Sequence, residues 1–348
     1  MHYEPVAGPG AWYGRDLAQR ADWIHQLTPA EVEEIEAAAR AVRGAGLPPD
    51  GITPAAFPLP TFGPFLRKVL AELLQGRGFI LLRGLPVSRW SREDQAIAYL
   101  GIGSWLGRFR SQNANGHLLG HVKDLGLDIR DPAVRYYQTS RRLEYHTDSI
   151  DVVGLLCLQT AKSGGESYLA SSMTVYNEVL RRRPDLVEAL FQPFPTDRRG
   201  EVPEGMQPWF DIPIYHWHAG RLSCIYVRQY IESAQKNFPE ARRLTRAQIE
   251  AMDAMDELCN DPAIHLAMDF QPGDVQLLHN HQILHSRGDF ENWPQPERHR
   301  HLLRLWLAPP EARPLPEVYA ARYGSVTPGE RGGIVVRGTR FRVPLEAE

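Results

Sequence analysis

The chain has 348 residues, of which 43% are hydrophobic and 23% are charged, a balance typical of a globular protein with a substantial core. Its formal net charge of -3 gives no bulk attraction to nucleic acid or to an anionic membrane, so we expect a small-molecule partner. The hydropathy pattern shows neither a secretory leader nor a membrane-spanning run, so we expect a cytoplasmic setting. Cys157, Cys224 and Cys259 are too widely spaced for a zinc knuckle, and we expect them to be buried and reduced.

Helix signals recur along the chain. Residues 28–46 begin with Thr28 as the N-cap, Pro29 in the first turn and Glu31 completing a capping box, which predicts a helix. The same kind of cap followed by apolar residues at helical spacing predicts further helices over 61–76, from Ser91, from Ser172 through residue 190, and from Thr245 to Cys259.

Short strand-like runs fill most of the remaining chain. They cover residues 78–87, 152–160, 166–170, 213–218, 222–227, 274–279 and 301–308. Many short strands with helices around them predict a mainly β fold with flanking helices, built as a sandwich or barrel.

The chain divides by composition into three parts. We assign residues 1–60 to an N-terminal helical extension, 61–310 to the β domain, and 311–348 to a C-terminal tail that packs on the domain. Within the domain, residues 193–212 are rich in Pro, Gly and charge, and we predict a lid over a site there, in which Trp209 and Phe210 cover part of a substrate.

The segment EYHTDSID, residues 144–151, contains a pattern suited to metal binding. On an extended strand His146 and Asp148 point to the same side, so both can reach one ion. Two histidines and one carboxylate leave coordination positions open on a ferrous ion, and the third ligand would come from His279, His281 or His285, among which spacing does not choose. The alternative is a surface or hydrogen-bonded pair, because the same spacing recurs at 216/218, 279/281 and 299/301.

A second pattern lies in RHLLRLWL, residues 300–307. Alternation puts Arg300, Leu302, Arg304 and Trp306 on one face of a strand whose other face is apolar. A guanidinium group in such a strand is costly unless it meets an anion, and its fork suits a carboxylate. The partners are either a ligand or Asp and Glu side chains of the protein.

The order of these motifs resembles the iron(II)- and 2-oxoglutarate-dependent dioxygenases of the taurine dioxygenase type, from about residue 78 to 308. The matching residues are Tyr145-His146-Thr147-Asp148, Gly164-Gly165-Glu166-Ser167, Gly273-Asp274, Asn280, His285, Arg300 and Arg304. The resemblance implies a double-stranded β-helix core of the jelly-roll, cupin-like kind. It also implies Fe(II), 2-oxoglutarate and O₂ as cofactors and co-substrates, with His285 as the third metal ligand.

The resemblance further implies residue roles. Arg300 would bind the distal carboxylate of 2-oxoglutarate, and Ser167, where the family usually has Thr, would hydrogen-bond the same molecule. Our candidates for substrate binding are Arg304, Arg228, Tyr145 and Asn280. The N-terminal stretch has no counterpart in short family members and lacks a zinc cluster, which argues against carnitine-type chemistry, and Asp148 argues against halogenation.

We therefore expect an enzyme that hydroxylates a small, carboxylate-bearing substrate and releases succinate and CO₂. Arg304 motivates the anionic substrate, since Asp148 would be neutralised by iron and Arg300 by 2-oxoglutarate. Desaturation, ring closure or another oxidative outcome would use the same cofactors. Two other functional classes remain as alternatives: a cupin-type metal enzyme that does not use 2-oxoglutarate, and a metal- or ligand-binding module without catalytic activity. The sequence also leaves open whether the protein forms a homo-oligomer.

Overall fold

The computed structural model describes residues 3–130 and 134–348. The helices in these ranges are α1 Gly14–Leu17, α2 Pro29–Gly44, α3 Phe62–Gln75, α4 Arg92–Ser104, α5 Ser172–Arg182, α6 Val187–Leu190, α7 Arg228–Asn237, α8 Arg246–Asn260 and α9 Ala320–Tyr323. The strands are β1 Ile24–Gln26, β2 Phe79–Arg83, β3 Arg108–Phe109, β4 Leu119–Lys123, β5 Leu143–His146, β6 Val152–Gln159, β7 Ser163–Gly164, β8 Ser167–Ser171, β9 Phe194–Asp197, β10 Trp209–Ile212, β11 Tyr215–His218, β12 Arg221–Cys224, β13 His265–Met268, β14 Val275–His279, β15 Ile283–Arg287, β16 Phe290–Glu291 and β17 His301–Ala308.

Two sheets form the core of the protein. The larger has the order β1-β2-β14-β6-β17-β3, with β4 also paired to β17, and the smaller has the order β13-β8-β15-β5. Phe79, Val153 and Trp306 of the larger sheet pack against Leu169 and Ile283 of the smaller one in a shared apolar layer. Two facing, mostly antiparallel sheets with non-consecutive strand neighbours make a double-stranded β-helix, so the predicted fold is confirmed.

The outer face of the larger sheet is covered by helices α2, α3 and α4. Leu303, Leu305 and Leu307 alternate along β17 and pack into one cluster with Leu66 of α3 and Tyr99 of α4. The opposite face of β17 therefore carries the polar side chains into the space between the sheets. A second cluster packs α5, α6 and α8 beside the smaller sheet.

Three helix predictions are confirmed at their caps, whereas the helix predicted from Ser172 through residue 190 is divided into α5 and α6 at Pro184. Thr28 and Glu31 form the reciprocal capping box of α2, and Thr245 with Gln248 forms that of α8. Ser91 caps α4 by accepting from the backbone N–H of Asp94. The three cysteines are free and buried, as predicted.

Two predictions need correction. The strand predicted over 222–227 ends at Cys224, and the next element, α7, begins at Arg228. Residues 193–212 are not irregular throughout, because β9 and β10 pair as an antiparallel hairpin that leaves 198–208 as the connection. The apolar ends of this segment, Phe194 and Ile212, are buried, which explains the pairing that the Pro and Gly content concealed.

The chain before residue 60 is part of the core structure. β1 pairs in parallel with β2 at the edge of the larger sheet, and Trp12, Leu17 and Trp23 join the apolar layer between the sheets. Within the described ranges, no helix has the length and apolar character needed to cross a membrane.

Candidate active site

His146, Asp148 and His285 meet at one end of the smaller sheet. His285 on β15 pairs directly with His146 on β5, and their rings lie 4.2 Å apart. Nε2 of His146 is 3.8 Å from Asp148 Oδ1, and Nε2 of His285 is 4.0 Å from Oδ2. Metal bonds to such ligands are about 2.0–2.2 Å long, so the three atoms are close enough to bind one ion after a small inward movement.

The two imidazoles are set up as neutral ligands. Nδ1 of His146 lies 2.8 Å from the carbonyl oxygen of Glu144 and donates to it, which leaves Nε2 with its lone pair toward Asp148. Burial lowers the pKa of His146, and burial together with His146 lowers the pKa of His285 to about 3. Both rings therefore have a free nitrogen at neutral pH.

Asp148 is held from several sides. Burial opposes its ionisation, but Arg304 and the two histidines outweigh burial and lower the pKa of the carboxyl. The indole Nε1 of Trp306 donates to Oδ2 at 3.0 Å, and Arg304 Nη1 lies 3.5 Å from the same oxygen. The backbone N–H of Asp148 donates to Asn280 Oδ1 at 2.9 Å. Asn280, predicted as a substrate residue, thus positions the loop that carries Asp148.

The other two histidines of the segment belong to a different cluster. His279 and His281 gather with Asp151 in a second compact group, fully buried. Arg331 occupies both oxygens of Asp151, and His281 Nε2 lies 3.0 Å from Oδ1. That carboxylate already has its partners, so the fold brings His285 to His146 and Asp148, while His279 and His281 lie elsewhere.

A cavity of about 500 Å³ opens beside the candidate metal ligands. Tyr145, Arg228 and Arg304 all line it, but they differ in their partners. Arg228, a candidate for substrate binding, forms ion pairs of 2.7–2.8 Å with Glu232, Asp253 and Asp256. Tyr145 is largely buried in the cluster beside the smaller sheet.

Arg304 and Arg300 face the space between the sheets, as their alternation predicted, but they open into different cavities. Arg304 Nε donates to Gln112 Oε1 at 2.7 Å and lines the large cavity. Arg300 lines a separate cavity of about 60 Å³ with Gly165 and Leu302. That cavity can hold a carboxylate group but not all of 2-oxoglutarate.

Arg300 is buried without an ionic partner in the described ranges. Its Nη1 makes no hydrogen bond there, its Nη2 donates to Gly165 O at 3.3 Å, and burial lowers its pKa to about 10. Gly165 has a φ of +81°, and a Cβ at this position would lie 2.9 Å from Arg300 Nε. Ser167, two residues after Gly165, is also buried, and its Oγ accepts a hydrogen bond from Gln276 Nε2 at 2.9 Å. The Nη1 group of Arg300, which has no hydrogen-bond partner in the described ranges, suits one carboxylate of a diacid.

The predicted lid segment, residues 193–212, reaches the large cavity through Arg199 and Glu201, but the contacts predicted for Trp209 and Phe210 are wrong. Trp209 stacks on Phe238, and Phe210 packs in a cluster with Tyr319, so neither ring lines the large cavity. The sequence reasoning also missed Gln112 and Arg322, which do line it and which no motif marks.

A double-stranded β-helix that joins two neutral histidines and a carboxylate at the edge of such a cavity defines the class of non-haem iron oxygenases. The sequence profile of the taurine catabolism dioxygenase TauD, TfdA family matches residues 43–306, and the chain belongs to this family. It is an iron(II)- and 2-oxoglutarate-dependent dioxygenase, as the sequence predicted.

Individual relatives are similar over most of their length. FR-33289 synthase of Streptomyces rubellomurinus is 32% identical over 321 residues, which cover 90% of this chain and 93% of the relative. The taurine hydroxylase-like protein SAT17 of Stachybotrys chartarum is 33% identical over 319 residues, 86% of this chain and 81% of the relative. An asparagine oxygenase solved with Fe(II), 2S,3S-3-hydroxyasparagine and succinate has the same fold, with 19% identity, a TM-score of 0.63, and coverage of 82% of this chain and 93% of its own.

Proposed function

We propose that His146, Asp148 and His285 bind the iron and that the enzyme hydroxylates a C–H bond of a small anionic molecule held in the 500 Å³ cavity. The observation that carries this proposal is the charge of the cavity. Arg304 has Asp148 as its only ion-pair partner in the described ranges, and that carboxylate is a metal ligand in the proposal. Once a cation takes Asp148, the guanidinium group is left for an anion.

Acidic residues also line the cavity, and they contact arginines of the protein. Glu232 and Asp256 pair with Arg228, and Glu144 lies 3.3 Å from Arg142. Glu201 likewise lies 3.8 Å from Arg135. The single charge of Arg228 cannot balance three carboxylates, so we expect the anion at Arg304 and not beside Arg228.

Iron with 2-oxoglutarate and O₂ supplies the oxidising power when bound, with succinate and CO₂ as the products of the co-substrate. The protein contributes position and protonation state. Glu144 O fixes the tautomer of His146, Trp306 and Asn280 hold Asp148, and we assign the distal carboxylate of 2-oxoglutarate to Arg300. Since the Arg300 cavity is too small for the whole diacid, side chains between the two cavities move apart when it binds.

Two solved oxygenases of this fold support an amino acid or a similar carboxylate as substrate. One was solved with 3-hydroxyasparagine and another with (3S)-hydroxy-L-Arg. Hydroxylation is the outcome we propose, and desaturation or ring closure would use the same ligands. We also propose a cytoplasmic enzyme without nucleic-acid or membrane partners, which the net charge of -3 and the buried free cysteines support.

The test measures 2-oxoglutarate consumption and succinate release with iron(II) and ascorbate. The full-length protein is offered amino acids, other carboxylates, sulfonates, neutral amides and amines. We expect anions to stimulate turnover. His285→Ala should abolish both iron binding and turnover, whereas His218→Ala, at an exposed histidine, should leave both unchanged. Stimulation by amides or amines alone would refute the anionic substrate, and full activity of His285→Ala would refute the metal assignment.

A further inference from the structure

The chain beyond residue 306 forms part of the cavity next to the candidate metal ligands. Arg322 of α9 and Ile334 both line it, although the family profile ends at residue 306. The side chain of Arg322 is half-buried, so it is partly open to the cavity. This chain therefore has a cationic cavity residue that the matched family region does not supply.

Hydrogen bonds fix this segment against the loop that carries Asp148. Arg322 Nε donates to Ser149 Oγ at 2.6 Å, and the backbone N–H of Gly333 donates to Ser149 O at 2.9 Å. The hydroxyl of Tyr323 lies 3.5 Å from the carbonyl oxygen of Asp148. The guanidinium group of Arg322 is consequently held beside the residue that follows the metal-ligand candidate.

The charge of Arg322 is not balanced by the protein. Throughout residues 3–130 and 134–348, no carboxylate lies within ion-pair distance of it, and its hydrogen bond uses only Nε. Both terminal nitrogens are left as donors. An arginine that presents two parallel donors matches the geometry of a carboxylate, sulfonate or phosphate group.

A second guanidinium group adds to the positive field. Burial and the charge of Arg322 lower the pKa of Arg198 to about 10, and both guanidinium groups lie near the ring of Phe210, at 4.8 and 5.8 Å. Arg198 donates to the carbonyl oxygens of Gln207 and Ala321 and has no carboxylate partner in the described ranges. Arg198 does not itself line the cavity, but its charge lies close to Arg322 and adds to the positive potential there.

We propose that Arg322 binds the anionic group of the substrate through Nη1 and Nη2 and thereby selects oxyanion-bearing molecules. Arg304 supplies a second positive charge once a cation takes Asp148, whereas Arg322 presents both terminal nitrogens with no competing carboxylate in the described ranges. The inference rests on the proposed function, since it names the residue that recognises the anion in that same cavity.

Binding is measured without turnover, on full-length protein loaded with iron(II) and 2-oxoglutarate under anaerobic conditions. The probes are hexanoate, hexane-1-sulfonate and the neutral isostere hexanamide, followed by ligand-observed proton NMR. We expect the wild type to bind the two acids more tightly than the amide. Arg322→Gln should weaken acid binding by about 10- to 100-fold and leave the amide unchanged, as expected for the loss of a charge-assisted pair.

The variants separate this role from others. Arg322→Lys keeps the charge without the fork and should give intermediate binding. Arg337→Gln removes an exposed arginine of the same segment, which lies 3.7 Å from Glu204, and should match the wild type. Iron affinity and 2-oxoglutarate affinity should be unchanged in Arg322→Gln.

Four outcomes overturn the proposal. The first two are that the wild type binds acid and amide equally, or that Arg322→Gln binds the acids as tightly as the wild type does. The other two are that Arg304→Gln loses the preference for acids while Arg322→Gln keeps it, or that Arg322→Gln loses 2-oxoglutarate or iron binding. The proposed function fails separately, if no anion stimulates 2-oxoglutarate turnover by the wild type. Acid binding by the probes would then still report on Arg322, because it does not depend on turnover.

Discussion

Replacing Arg331 with methionine should destabilise the whole enzyme, although residue 331 lies outside the matched family region. Its guanidinium group is fully buried and contacts Asp151 through Nη2 at 2.6 Å and through Nε at 3.0 and 3.1 Å. Removing one partner of a buried ion pair costs about 3–5 kcal/mol, because the remaining charge stays buried. The unfolding entropy is about 2.1 cal/mol/K per residue, or about 0.7 kcal/mol/K for this chain, so we expect a fall in Tm of about 4–7 °C.

The assay is differential scanning calorimetry of the full chain, with a double variant as control. Asp151→Asn combined with Arg331→Met removes both charges and should recover part of the lost stability. Burial opposes ionisation of Asp151, but His281 and Arg331 outweigh it and lower its pKa, so the pair stabilises above the ordinary carboxyl pKa and less as the pH falls through the folded value. The difference in Tm should therefore narrow in acid. A fall below about 2 °C at neutral pH, or a double variant as unstable as Arg331→Met, would refute the reasoning.

Three further predictions concern other parts of the structure. Burial lowers the pKa of His301 to about 2, so between about pH 6.5 and 2 the unfolded chain binds a proton that the folded ring does not. Folding stability should therefore decrease as the pH is lowered through this range, and His301→Gln should flatten that slope in urea titrations. Trp306→Phe removes the indole donor to Asp148 and should weaken iron binding by about 10-fold in metal titrations. Arg300→Lys should raise the KM for 2-oxoglutarate by at least about 10-fold with little change in the KM for substrate, because an ammonium group cannot replace the fork.

Each of these predictions has its own control. Trp217→Phe, at an exposed indole, should leave iron affinity unchanged, and equal weakening in both variants would contradict the Trp306 contact. Unchanged 2-oxoglutarate KM in Arg300→Lys would move the distal carboxylate to another cation. A pH slope that persists in His301→Gln would assign the titration to other histidines, such as the neighbouring His121 at 2.8 Å.

Sequence patterns predicted the local structure well because its causes are local. The caps at Thr28, Ser91 and Thr245 each depend on residues three positions apart, and the alternation along β17 separates the apolar face from Arg300 and Arg304. Periodicity identified the β17 faces correctly, but it could not tell which cavity each arginine enters. The cavity that each arginine enters depends on which residues of the smaller sheet and its loops face that arginine.

The site needed information that spacing does not contain. Three histidines within seven residues share similar local patterns, and only the pairing of β15 with β5 brings His285 to His146. Arg322 belongs to no motif, because its position beside the cavity depends on a segment that returns across the loop containing Ser149. The order of the family motifs was enough to predict His285, whereas the position of Arg322 is visible only in the folded structure.

The buried pair of Asp151 and Arg331 joins positions 180 residues apart, and this separation bears on how the enzyme is made. During synthesis the strands of both sheets up to β17 leave the ribosome before residue 331 does. Until that residue arrives, Asp151 lacks its guanidinium partner, only three positions after Asp148. The loop between Asp148 and Asp151 therefore gains this buried ion pair only when the C-terminal segment packs, so the last part of the chain to be made supports the candidate metal centre.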